Sequence, residues 1–243
     1  MVMRYAPACS RAFAFALSML AGATARADAA QEPAHAAADT FDEAPPLDST
    51  RLFVMPTAKT LEPGHGYVVG HEGFIPSFQV GVTPHFSVGG GSFFGLVNWV
   101  TPKVQVYNGA GNSVAVALLH FMVPGYGSLG LAYGAVTHTT RRGAWTIGAG
   151  QFYASVDDDW RWSEGASLII VGGERRISPR TTFVTENYAG LERRRGTYHP
   201  NVALLMDGIR LERRQGRLLI DLGVLLFPAY GVPSPFLNWT VKF

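Results

Sequence analysis

The sequence predicts an all-β chain, a transmembrane antiparallel up-and-down β-barrel of about twelve strands, or ten if 77–95 or 102–107 is misread. Three observations lead there. From Gly66 onward, short strand-like stretches alternate with breaks rich in Gly, Pro and Asn. Beyond the first 27 residues, no stretch keeps the i, i+3, i+4 apolar spacing of a helix for three turns. The closing strands also alternate. In Leu218–Leu226 the even positions are all aliphatic and the odd ones include Asp221 and Gly223, and Leu237, Trp239, Val241 and Phe243 alternate with Asn238, Thr240 and Lys242. A soluble sandwich turns its apolar phase to a core and its polar phase to water. A membrane barrel turns the apolar phase to lipid and leaves Gly, Ala and polar groups to the lumen. Leu129, Leu131 and Tyr133, which alternate with Gly130, Ala132 and Gly134, are read the same way, with the large residues toward lipid.

The amino-terminal residues read differently. Arg4 and Arg11 precede an apolar run from Ala12 to Ala23, and Ala25-Arg26-Ala27 supplies a small-x-small pattern before Asp28. A basic start, a run too short to span a bilayer and that ending predict a secretory signal peptide over 1–27, cleaved near Ala27. Cys9, the chain's one cysteine, falls inside it, so thiol chemistry and cysteine-bound metal are excluded from the remainder. Residues 28–50 contain six acidic residues, no Lys or Arg, and mostly Ala and Pro otherwise, which predicts a flexible acidic leader. The third region, 51–243, carries a net charge of +5 and is the expected barrel.

Within that region the expected strands are 66–74, 77–82, 86–95, 102–107, 113–123, 128–138, 144–155, 166–176, 181–190, 201–212, 217–227 and 235–243. The breaks carry turn chemistry, as in Asn108-Gly109-Ala110-Gly111-Asn112 and Pro124-Gly125-Tyr126-Gly127. With both termini on one side, 228–234, 191–200, 156–165 and 96–101 become loops at the far end, and mostly shorter turns fall at the terminal end. Only 16% of the residues are charged and the basic ones are dispersed, which argues against nucleic-acid binding.

A signal peptide, alternating strands and a final strand that ends in Phe243 together resemble the bacterial outer-membrane β-barrels of no assigned activity. The resemblance covers residues 51–243. Pro56-Thr57-Ala58, then Gly64-His65-Gly66-Tyr67, then Gly81-Val82-Thr83-Pro84-His85-Phe86-Ser87-Val88-Gly89 are similar to the first hairpins of such barrels. It implies a place in the outer membrane of a Gram-negative bacterium. It also implies contact with membrane lipid and lipopolysaccharide, and recognition of Leu237, Trp239, Val241 and Phe243 by the barrel-assembly machinery.

The charged residues inside the barrel are the most informative candidates. Glu174, Glu186, Arg210 and Asp221 come from four successive strands at similar distances from the turns of the terminal end, and Arg176 shares the phase of Glu174. A charge on the lipid face near mid-bilayer costs about 2–4 kcal/mol for Arg, so these residues are expected in the lumen. There they form either a salt-bridged filling or a charged constriction that selects solutes. No histidine stands in a recognisable nucleophile–base–acid set, so no enzyme is expected, and no cofactor or metal either. Asp157-Asp158-Asp159 lacks the alternate spacing of a Ca²⁺ loop and reads as a solvated loop, with Trp160 and Trp162 at a membrane interface. Glu192-Arg193-Arg194-Arg195 is a second charged loop, with guanidinium groups suited to lipid phosphates. Gly89-Gly90-Gly91 has no helix after it to bind phosphate and is read as space for a large neighbour. The functions that remain are a narrow channel for small polar solutes, a non-conducting structural or lipopolysaccharide-contacting barrel, and a lipid-modifying enzyme.

Overall fold

A computed structural model describes residues 50–156, 159–194 and 197–243. The signal peptide expected over 1–27 and the leader up to residue 49 lie outside the described residues, as do Asp157, Asp158, Arg195 and Gly196. Twelve strands follow one another: β1 (Gly66–His71), β2 (Ile75–Thr83), β3 (Phe86–Phe93), β4 (Val97–Gly109), β5 (Asn112–Val123), β6 (Gly127–Thr140), β7 (Gly143–Val156), β8 (Asp159–Ser178), β9 (Thr181–Arg194), β10 (Thr197–Arg213), β11 (Leu218–Leu226) and β12 (Pro233–Lys242). Each pairs antiparallel with the next, and β12 pairs with β1, so the sheet closes into a barrel without a free edge.

The seam depends on glycine. Tyr67↔Lys242 through Gly70↔Trp239 align the first and last strands, and the backbones of Gly66 and Phe243 exchange two hydrogen bonds of 3.0 Å. A Cβ on Gly66 would come within 2.6 Å of the Phe243 ring, and one on Gly70 within 2.3 Å of the Trp239 indole. The rings of Trp239 and Phe243 therefore lie flat against the exterior of β1. The tight turn between β4 and β5 takes positive φ at Ala110 (+49°) and Gly111 (+75°), the geometry that matches the twist of a two-residue hairpin.

The strands are longer than expected at the far end. Residues 96–101, expected as a loop, mostly belong to β4, and Pro102 sits within that strand opposite Val88. The connections expected over 156–165 and 191–200 are instead hairpin extensions of β7–β8 and β9–β10, in whose backbone register Ser155 pairs with Trp160 and Tyr198 with Arg193. Charged residues dominate both segments, and only Trp160 and Trp162 alternate with polar neighbours, a run too short for periodicity to mark as strand.

The phase of β6 corrects an expectation. Leu131 and Tyr133 point inward, buried at 3% and 7% exposure, and pack with Met55, Ala58 and Ile170. The small residues take the exterior, where the ring of Tyr153 covers Gly130. The large residues turn inward because the lumen offers them an apolar partner instead of water. That partner is the segment before β1: the wall starts at Gly66, and residues 51–58 lie inside it.

Candidate functional site in the barrel lumen

Thr50–Thr57 forms a small hairpin closed by the Arg51↔Pro56 bridge and by backbone hydrogen bonds from Leu52 to Met55 (2.9 Å) and from Thr57 to Thr50 (3.0 Å). Its tip, Leu52-Phe53-Val54-Met55, is apolar, with Leu52, Phe53 and Met55 buried in the barrel. Phe53 meets Phe236 edge-on at 4.8 Å and packs with Val184 and Met206. Lumenal Gly172 makes room for Leu52, since a Cβ there would come within 2.4 Å of its side chain. Pro63 and Thr60 then meet the β2–β3 end of the wall, where Pro63 bridges to Gly81 and the Thr60 hydroxyl donates to Pro84 O at 2.9 Å. The hairpin thus enters and leaves by the terminal end of the barrel.

The N–H groups of Phe53, Val54 and Met55 on the tip are received by the wall. The Glu186 carboxylate accepts three consecutive backbone N–H groups, from Phe53 (2.6 Å), Val54 (2.9 Å) and Met55 (3.0 Å), and also the Tyr188 hydroxyl. Three amides converging on one carboxylate form a ready-made anion nest, here filled by the protein itself. The descending arm is held likewise. Ala58 N–H donates to Thr137 Oγ1 at 2.9 Å, Gln105 Nε2 donates to Ala58 O at 3.0 Å, and the Lys103 ammonium donates to Thr57 O at 3.0 Å and to Lys59 O.

The ascending arm is held by charge. Arg51 and Arg210 grip Asp221 from two sides: Arg51 Nη1 donates to Oδ2 at 3.1 Å and Arg210 Nε donates to Oδ1 at 2.7 Å. Arg51 also donates to the Thr240 hydroxyl and stands over the Tyr67 ring at 5.6 Å, a cation–π contact. Arg210 extends to Leu52 O at 2.6 Å and to Glu174 Oε2 at 3.6 Å. Arg51, Arg210, Asp221 and Glu186 are all almost without exposure.

Of the five charged residues proposed from the sequence, the lumen thus joins Glu174, Arg210 and Asp221 in one network. Glu186 is separate from it and grips the hairpin tip, and Arg176 is buried two residues along β8 from Glu174. Sequence reasoning missed Arg51, the hairpin tip, Lys103, Gln105 and Thr137. The available signals were an apolar tetrapeptide too short for a strand and directly before Pro56, and Lys103 and Gln105 on the inner phase of a valine-rich strand.

Above the hairpin the lumen changes character. The part near the terminal end is polar, with Ser113, Thr146 and Thr182 buried there, whereas Gln79 and Asn238 line the space above the tip. Toward the far end, Trp99, Leu119, Phe121 and Phe236 surround a cavity of about 240 Å³ whose floor is Val54 and Met55 at the hairpin tip. It continues to Glu72 in the β1–β2 turn, so its mouth is at the far end. On the exterior, Tyr153 lies among His120, Trp160 and Trp162, with ring centroids 5.4–5.9 Å away. No protein-family model matches the chain, and a search of curated proteins finds no match either.

Proposed function

We propose that the chain is an outer-membrane β-barrel shut from within by its own residues 51–58, and so a non-conducting barrel. The observation that carries this reading is the triple acceptance of Phe53, Val54 and Met55 N–H by Glu186, which fastens the hairpin across the lumen. Support for a membrane location comes from the exterior. Val100, Val104, Val116, Ile147, Leu222, Val224, Leu237 and Val241 are exposed around the belt, more apolar surface than water tolerates on a monomer. Exposed Tyr107, Trp145, Phe183 and Phe243 lie toward the terminal end and Phe74, Phe94, Trp160, Trp162 and Tyr230 toward the far end, as in the two aromatic girdles of a barrel in a bilayer. This reading puts the terminal end in the periplasm and the long hairpins outside.

A channel for small polar solutes would require the hairpin to leave the lumen and break the Glu186 and Asp221 contacts together. Lipopolysaccharide and the assembly machinery are the partners that the resemblance to outer-membrane barrels implies, the latter through Leu237, Trp239, Val241 and Phe243. The test combines fractionation with liposome swelling. The protein is expected in the outer-membrane fraction, with heat-modifiable mobility on gels, and liposomes containing it should swell no faster in arabinose than empty ones. Recovery as a soluble periplasmic monomer, or swelling that scales with protein, contradicts the proposal.

A further inference from the structure

We infer that the apolar cavity above the hairpin binds the hydrocarbon chain of an amphiphile that enters from the far end of the barrel. This rests on the closed-barrel reading, because the hairpin tip is the floor of the site. A water-filled lumen is ordinarily lined by polar and small side chains. Here the wall above the tip includes Trp99, Leu119, Phe121, Met206 and Phe236 beside the polar side chains of β1, β2 and β12, with Val54 as floor and 47% exposed. Leu168, Leu204 and Leu225 pack only partly buried against the two clusters around the tip. Apolar surface left open to water in this way is unfavourable, and a chain that covers it gains the free energy of its burial.

The space is kept open by the wall itself. The Trp99 indole lies over Gly91, where a Cβ would come within 2.1 Å of the ring, and the Phe236 ring lies over Gly223, where a Cβ would come within 2.6 Å. Both rings are thus flattened on the wall instead of crossing the lumen. Several polar groups of the lining already have partners: His71 Nε2 pairs with Ser77 Oγ at 2.9 Å, Gln79 Nε2 donates to Ser87 Oγ at 3.1 Å and Asn238 Oδ1 accepts Glu72 N–H at 3.1 Å, which leaves His71 Nδ1 as a buried polar atom with no partner among the described residues. What the site offers a ligand is therefore mainly apolar contact. A cavity of 150 Å³ with such walls is already large enough for benzene, so about 240 Å³ suits part of a chain.

The rim points to a lipid-like source. The wall is lowest over β1–β3, strands of six, nine and eight residues, against twenty in β8 and seventeen in β10. On that low side Phe74, Phe94 and Leu96 are exposed, and Phe74 stacks on Phe94 at 6.1 Å. An apolar rim beside the mouth gives a chain a continuous path from the bilayer surface into the cavity.

The experiment uses the full chain in phospholipid nanodiscs, with Trp145, Trp160, Trp162 and Trp239 replaced by Phe so that Trp99 is the sole indole reporter. Titration with 1-decanol is expected to change Trp99 emission saturably, as one site. Val54→Glu, which puts a charge on the floor, should weaken that binding at least tenfold while heat-modifiable mobility is retained. Leu119→Gln serves as a second variant, with the same expectation, if Val54→Glu does not fold. A response that rises linearly with decanol and is equal in the variants is bilayer partitioning and overturns the inference, as does no response. A barrel that binds decanol but conducts ions overturns the closed-lumen reading alone. A closed barrel without a saturable site overturns this inference alone.

Discussion

Arg210→Ala is expected to lower the unfolding free energy by about 3 kcal/mol, with a clear drop in Tm. Its guanidinium is fully buried and holds Asp221 at 2.7 Å, Leu52 O at 2.6 Å and Glu174 at 3.6 Å. Removing one partner of a buried ion pair typically costs about 3–5 kcal/mol, because the other charges stay behind without it. The lower end is expected here because Arg51 remains on Asp221. Arg210→Lys should recover only part of the loss, since one ammonium cannot reproduce the divergent contacts of a planar guanidinium. The measurement is thermal unfolding in detergent, followed by circular dichroism and gel mobility. An unchanged Tm would mean that the network is hydrated and carries little of the stability.

Glu186→Ala is expected to free the hairpin and leave the barrel standing. The substitution strips the acceptor from three backbone N–H groups, and each buried donor left unsatisfied costs about 1–3 kcal/mol. The barrel ladder does not use these bonds, so the cheapest response is withdrawal of the tip into water. Arg51 supplies the readout, because at 2% exposure it is closed to protease in the intact protein. Trypsin should cut after Arg51 far faster in the variant, while the barrel remains heat-modifiable. Equal cleavage in both proteins would show that Glu186 does not hold the hairpin. Glu186→Gln keeps one acceptor oxygen and should fall between the two.

Much of the barrel was legible in the sequence, for a physical reason. Strands that face lipid on one side must alternate, so β11 and β12 could be read residue by residue, and Asp221 could be assigned to the lumen because a charge is costly in lipid. The phase of β6 was not legible. A row of Leu131 and Tyr133 against Gly130 and Ala132 fits lipid outside or an apolar filling inside equally well, and only the position of Met55 and Ala58 decides. The hairpin escaped for a related reason: a turn held by contacts with Glu186, Thr137, Lys103 and Asp221 carries no local periodicity. The charged cluster was grouped by depth alone. Depth brought Glu174, Arg210 and Asp221 together correctly in space, but it could not show that Glu186 faces backbone amides instead of a cation.

The central claim, that residues 51–58 shut the lumen, is tested most directly by planar-bilayer conductance of two proteins. One is the full chain, and the other has residues 51–58 replaced by a Gly-Ser stretch of equal length. Such a stretch is flexible and has no side chains for the wall to hold. The full chain is expected to show no steady ion current, and the replaced protein to open stable channels of uniform size. A steady current through the full chain, or equal silence from both proteins, would contradict the claim.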